Sequence, residues 1–169
     1  WDPFTIVHSG ANRRDFDTLI RAFDLLIVHY PQCRLELIGA NSVREKIPGR
    51  PYLTLHGELS DVEMLAVYQK SNFLVLSVTD GGSSNSLNEG MACGLPVVVT
   101  AVTNITDYVD DSFSLLFAVN DHVQLLEKMM VLMENRELRD RYSKNARNHA
   151  LQYDWVKLKD DFFALMTSL

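Results

Sequence analysis

The chain has 169 residues, 47% hydrophobic and 22% charged, which suits one globular domain with a core of its own and leaves little room for two. Its formal net charge of −6 excludes the broad basic face that non-specific nucleic-acid binding requires. No uninterrupted run of about 18 apolar residues is present to span a bilayer, and no signal peptide is recognisable.

Short β-rich runs alternate with longer helical patterns. The first residues, Trp1-Asp2-Pro3, carry no initiating methionine, so the chain reads as a fragment cut at a linker. Residues 4–8 form the first expected strand, closing at Ser9-Gly10. A helix is expected over residues 15–30, where Phe16, Leu19, Ile20, Phe23, Leu26 and Ile27 recur at helical spacing before Pro31 ends it. Residues 34–38 and 52–56 are the second and third strands, closed by Gly39 and Gly57. Ser60-Asp61-Val62-Glu63 has the form of a capping box and opens a helix reaching Lys70. The fourth strand, residues 73–78, is apolar almost throughout. A Gly/Ser-rich loop and a helix over residues 86–93 follow, and then the fifth strand, 97–100, and a weaker sixth, 114–118. The remainder reads as three helices over residues 121–134, 136–151 and 154–169. In the last, Trp155, Leu158, Phe162, Phe163 and Met166 make an apolar face, with Trp155 expected as a core anchor.

Strands this apolar, alternating with helices, predict a doubly wound parallel sheet covered on both sides. The expected fold class is α/β: a Rossmann-like sheet of about six strands in a three-layer αβα arrangement, with an all-helical C-terminal tail. Cys33 and Cys93 stand far apart in apolar surroundings, with no zinc spacing, and read as buried reduced thiols. The five histidines form no recognisable metal or nucleophile pattern; His8 and His56 fall at strand ends, where they either line a pocket or are satisfied at an edge.

Ligands of open α/β sheets bind beyond the carboxyl ends of the strands. The loops there are rich in small, polar and charged residues. Ser9-Gly10-Ala11-Asn12-Arg13-Arg14-Asp15 places two cations at a helix start, where they oppose the helix dipole; gripping a diphosphate is one explanation, and a solvated surface pair is the other. Thr79-Asp80-Gly81-Gly82-Ser83-Ser84-Asn85-Ser86 runs into a helix N-terminus, which offers backbone N–H groups and a positive dipole to a phosphate. Glu89 is expected in the first turn of that helix, favoured there by the dipole or used to accept hydrogen bonds from a ribose diol. Neither GxGxxG nor GxxxxGK[ST] occurs, which counts against a dinucleotide oxidoreductase and a P-loop NTPase.

The run from Asp80 through Glu89 into Gly90-Met91-Ala92-Cys93-Gly94-Leu95-Pro96-Val97-Val98 resembles the signature of glycosyltransferase family 4, the group 1 transferases. That family carries two acidic residues followed by Ala-Met-Ala-Cys-Gly-x-Pro-Val-Val. Asp17-Thr18-Leu19-Ile20-Arg21-Ala22-Phe23, Leu37-Ile38-Gly39 and Leu55-His56-Gly57-Glu58-Leu59-Ser60, with the helix through Tyr68, resemble other family segments in order. The resemblance implies the GT-B fold, two Rossmann-like domains facing across a cleft. Residues 1–169 would be the C-terminal, nucleotide-sugar-binding domain, with the acceptor-binding N-terminal domain missing.

By the same resemblance, Arg14 matches the family's phosphate-binding lysine and Arg13 stands in for its arginine. Glu89 matches the acidic residue on the ribose hydroxyls, and Asp80 the one that contacts the transferred sugar. Gly10, Gly82, Ser84, Asn85, Ser86 and Leu87 would complete the donor site, the last four by backbone N–H groups and the Ser86 hydroxyl. The implied donor is a UDP- or GDP-sugar. Transfer would go with retention to the hydroxyl of a glycan or lipid-linked acceptor, in glycan or polysaccharide biosynthesis. No metal or other cofactor is implied, nor nucleic acid or membrane contact from this domain. The implied location is the cytoplasm, at the membrane's cytoplasmic face in a longer protein. The fragment alone is expected to transfer nothing. Two departures stand out: Asp80 lies nine residues before Glu89 where the family has eight, and Gly90 replaces the usual alanine. Two other readings stay open: a non-catalytic, degenerate transferase-like module and a sugar-nucleotide epimerase of the same fold.

Overall fold

The computed structural model describes residues 4–39, 41–45, 47, 49–81 and 84–167. Six strands, β1 (Thr5–Ser9), β2 (Arg34–Ile38), β3 (Leu53–His56), β4 (Phe73–Leu76), β5 (Val97–Thr100) and β6 (Ser114–Phe117), form one sheet in the order β3-β2-β1-β4-β5-β6. Every adjacent pair is parallel. The helices are α1 (Phe16–His29), α2 (Asn41–Arg44), α3 (Asp61–Lys70), α4 (Asn85–Ala92), α5 (His122–Glu134), α6 (Arg136–Ala150) and, after a 3₁₀ turn, α7 (Trp155–Thr167). This is the doubly wound Rossmann-like arrangement, with the order reversing between β1 and β4.

Strand alternation builds the two cores. In β4, Phe73 and Val75 face α1 and α5 together with Ile6, Leu35, Leu37 and Val98. Leu74 and Leu76 face the other way, with Val7, Val97 and Val99, toward α3, α4 and α6. All four β4 residues are fully buried, which is why no polar residue interrupts the strand. Helix starts are fixed by side chains: Asp15 caps α1, Ser60 and Glu63 form a reciprocal capping box on α3, and Asp121 and Asn135 cap α5 and α6. Each such cap contributes about 1 kcal/mol.

Several boundaries differ from expectation. β4 stops at Leu76 because the chain turns at Ser77, whose carbonyl accepts the Asp15 amide at 3.0 Å, and Val78 forms an antiparallel bridge with Arg14. The short helix α2 was not visible in the periodicity, since four residues are barely one turn. Trp155 is not a core anchor: it is 57% exposed and meets Phe163 edge-on across α7. Cys33 is buried, and burial pushes its thiol up to about 11; Cys93 is only half-buried. Gly90 has a packing role, because a Cβ there would come within 2.5 Å of Leu74 Cδ2 on β4, so the missing methyl lets α4 lie close on the sheet.

Candidate functional site

Where strand order reverses, the loops after β1 and β4 part and leave a crevice at the carboxyl end of the sheet. A pocket of about 500 Å³ opens there, walled by residues 10–14 after β1, by Val78, Asp80, Ser84, Asn85 and Ser86 after β4, and by Ile105 after β5. The two loops are fastened to each other. The Thr79 amide donates to the Arg13 carbonyl at 3.0 Å, beside the Arg14–Val78 bridge. Thr100, at the end of β5, accepts the Val78 amide at 3.0 Å and so steers the second loop off the sheet.

Arg14 is the best-defined cation of the pocket. Its Nε donates to the Ser9 carbonyl at 3.0 Å and its Nη2 to Ser86 Oγ at 3.4 Å, which fixes the plane of the guanidinium. Burial lowers its pKa from the ordinary arginine value, yet an arginine keeps its charge. Gly10, at φ +102°, makes this possible: a Cβ there would sit 2.4 Å from Arg14 Nη2. The Gly10 amide in turn donates to the Ile38 carbonyl at 2.8 Å, tying the loop to β2.

Arg13 is placed differently. It takes a left-handed conformation, φ 55°, and its Nη1 reaches Asp80 Oδ2 at 3.3 Å and the Gly81 carbonyl at 3.2 Å. Both side chains of the ion pair are largely exposed, 63% and 68%, so the pair holds only weakly against a competing ligand.

At the start of α4, Ser84 is the N-cap: its Oγ and its carbonyl accept the Leu87 amide at 3.4 and 3.0 Å. The Leu87 N–H is therefore spent on the cap, contrary to the expectation that it faces a ligand, and the Leu87 side chain is core. The amides of Asn85 and Ser86, first in the helix, lack intrahelical acceptors by helix geometry and stand beside the pocket. Gly82 lies outside the described residues.

Glu89 does not fall in the first turn. The helix begins at Asn85, so Glu89 is its fifth residue and the dipole does little for it. Tyr68, at the inner end of α3, holds it instead: the phenol Oη donates to Glu89 Oε2 at 2.9 Å. Arg14 meets Ser86, three residues before Glu89 on α4, which puts the cation and the carboxylate on the same face of that helix, although Glu89 is not among the residues that wall the pocket. Burial raises the Tyr68 pKa, and the Glu89 charge adds to that. Sequence reasoning missed Tyr68. The available signal was a tyrosine on a helix's apolar side, whose phenol must find a partner when buried.

Neither histidine lines the pocket. His8 is fully buried against Phe16, and burial and the neighbouring Arg14 charge hold its pKa down at about 3, so the ring is neutral. His56 is half-buried beside Glu36, which also receives Lys70 at 2.8 Å. Among the described residues, no group of three or more His, Cys, Asp or Glu side chains is placed to hold a metal ion. No described helix is long and apolar enough to cross a membrane.

The family model for glycosyl transferases group 1 matches residues 3–149. The chain is 30% identical to an uncharacterized glycosyltransferase of Methanocaldococcus jannaschii, over 90% of this chain and 50% of that protein. It is 29% identical to the phosphatidyl-myo-inositol mannosyltransferase of Propionibacterium freudenreichii, over 92% of this chain and 40% of that protein. The chain thus spans half or less of these relatives' own length. In fold it is similar to Anabaena HepE, with a TM-score of 0.84 at 18% identity, covering 99% of this chain and 49% of that one. The pneumococcal O-GlcNAc transferase GtfA gives a TM-score of 0.81 at 16% identity, covering 99% and 36%. With residues 3–149 of its 169 matched, the chain belongs to the glycosyl transferases group 1 family.

Proposed function

We propose that this domain binds the nucleoside-diphosphate sugar of a retaining glycosyltransferase, with the acceptor held by a second domain outside the chain. The observation that carries the reading is the half-buried Arg14 guanidinium, clamped to Ser86 at the start of α4 inside a pocket of about 500 Å³. A diphosphate there meets a fixed cation and the amides of Asn85 and Ser86 together. HepE and the pneumococcal transferase were crystallised with UDP and a sugar, which supports a UDP-sugar as donor.

Breaking the bond between the anomeric carbon and the diphosphate puts negative charge on the leaving group. Donors already aimed at that charge need no reorganisation as it develops. Arg14 and the α4 amides supply this, with Arg13 at the outer edge. Glu89 accepts the ribose hydroxyls, and Asp80, leaving its weak pair with Arg13, orients the sugar for attack by the acceptor hydroxyl from the same face. No metal is needed in this scheme, because the cationic groups come from the chain. One relative is a phosphatidyl-myo-inositol mannosyltransferase, which supports a lipid-linked acceptor and synthesis at a cytoplasmic membrane face.

Titration with UDP-glucose, UDP-N-acetylglucosamine and GDP-mannose, followed by backbone amide shifts, tests the reading. Shifts centred on Gly10, Arg14 and Ser86 are expected with at least one donor; no shift with any would overturn it. Product analysis of the longer protein separates transfer from epimerisation: a glycoside of retained configuration is expected, and a free epimerised sugar nucleotide would contradict it.

A further inference from the structure

The geometry points to Tyr68 as a positioning residue that sets the Glu89 carboxylate for the ribose diol. The inference rests on the proposed nucleoside-diphosphate reading of the pocket.

Glu89 is the fifth residue of α4. It sits in the second turn of α4, past the reach of the helix-end charge, and its side chain has three rotatable bonds. A carboxylate that must accept from two neighbouring hydroxyls loses affinity if it has to be ordered at each binding event. The Tyr68 phenol removes that cost by donating to Glu89 Oε2 at 2.9 Å. Each carboxylate oxygen has two lone pairs, so the bond fixes the group while leaving acceptor capacity on both oxygens.

Tyr68 is itself rigid: it is 1% exposed, packed with Val7, Leu74, Leu76 and Met91 against the sheet. Its helix is locked at the far end by the Ser60–Glu63 capping box. Arg14 reaches Ser86 on α4, about one turn before Glu89, so a carboxylate held by the phenol stays in register with the phosphate-binding cation. A phenylalanine would fill the same space and break only this link, so packing alone does not explain the hydroxyl.

The test compares UDP and GDP with their 2′,3′-dideoxy counterparts by calorimetry, on the wild-type chain, Tyr68→Phe, Glu89→Gln and the double variant. Tyr68→Phe is expected to weaken UDP or GDP binding about fivefold, the worth of one lost hydrogen bond, and to leave the dideoxy affinity unchanged. In the Glu89→Gln background the phenol still has an amide oxygen to donate to but no charged acceptor, so the effect of Tyr68→Phe on the diol ligand should shrink. If Glu89→Gln weakens the diol ligand while Tyr68→Phe does not, or if Tyr68→Phe weakens diol and dideoxy ligands equally, the positioning role is wrong and the site reading stands. If the wild type binds no nucleoside diphosphate, or Glu89→Gln leaves diol recognition intact, the reading beneath it is wrong as well.

Discussion

Gly10 and Arg14 compete for one volume: a Cβ on Gly10 would lie 2.4 Å from the Arg14 Nη2 and 2.8 Å from its Nε. The bare Cα is what admits the guanidinium to its seat between Ser9 and Ser86. Gly10→Ala should therefore act twice. The φ of +102° disfavours any side chain, at a cost of about 1–3 kcal/mol, and the displaced Arg14 should weaken nucleoside-diphosphate binding about tenfold or more. Thermal melts and calorimetry on the same preparation measure both effects.

Arg14→Lys and Arg14→Ala should not behave alike. Lysine keeps the charge but cannot make the two-pronged contact to Ser9 and Ser86, so it leaves a mobile ammonium. We expect Arg14→Ala to lose about 1.5–3 kcal/mol of diphosphate binding, the worth of a hydrogen bond to a charged group, and Arg14→Lys to lose a smaller part. Equal affinities for all three side chains would remove Arg14 from the site.

Much of this was legible in the sequence because each feature had a local cause. The Ser60–Glu63 capping box appears as read, and β2 and β5 keep the expected bounds, since Gly39 and Pro96 punctuate apolar runs. Gly10, Arg13, Arg14, Asp80, Ser84, Asn85 and Ser86 converge on one pocket because they follow strands whose carboxyl ends align. What was not legible depends on distant partners. The Arg13–Asp80 pair joins residues of two loops, and the Tyr68–Glu89 bond joins two helices. Glu89's distance from the helix start turned on Ser84, rather than a later residue, being the cap. Trp155 read as core from its apolar face, but helical spacing says nothing of whether a partner surface covers that face within the chain.

Acid should destabilise the fold before its carboxylates titrate. His8 is held near a pKa of about 3 when folded, by burial and the Arg14 charge, against an ordinary value of 6.5. A histidine with a depressed folded pKa binds fewer protons folded than unfolded between those values, so stability falls as pH drops below 6.5. Between pH 6.5 and 4.5 one such group removes about 2–3 kcal/mol. Burial raises the Glu36 pKa, but bonds from Lys70 and His56 outweigh it and leave it below 4.5, so its own contribution is lost only at lower pH. Denaturant unfolding at stepped pH should show a shallower slope in this window for His8→Phe than for the wild type.

Gly81 marks where the second loop touches the chain after β5. A Cβ at that position would come within 1.8 Å of the Thr103 carbonyl oxygen, a backbone atom that cannot rotate away. Gly81→Ala must push the two segments apart, and with them Asp80 and Ile105 on the pocket wall. Weaker donor binding with only a modest fall in melting temperature is expected, because the core strands are untouched. Calorimetry and thermal melts on this variant read the two together.

One ligand is expected to touch both Arg14 and Glu89. Calorimetric titration of UDP and GDP into the wild type, Arg14→Ala, Glu89→Gln and the double variant tests it most directly. At least one nucleoside diphosphate should bind the wild type, each substitution should weaken that same ligand, and the double variant should bind it weakest of all. A ligand whose affinity responds to Arg14 but is indifferent to Glu89, or a wild type that binds neither nucleotide, would contradict it.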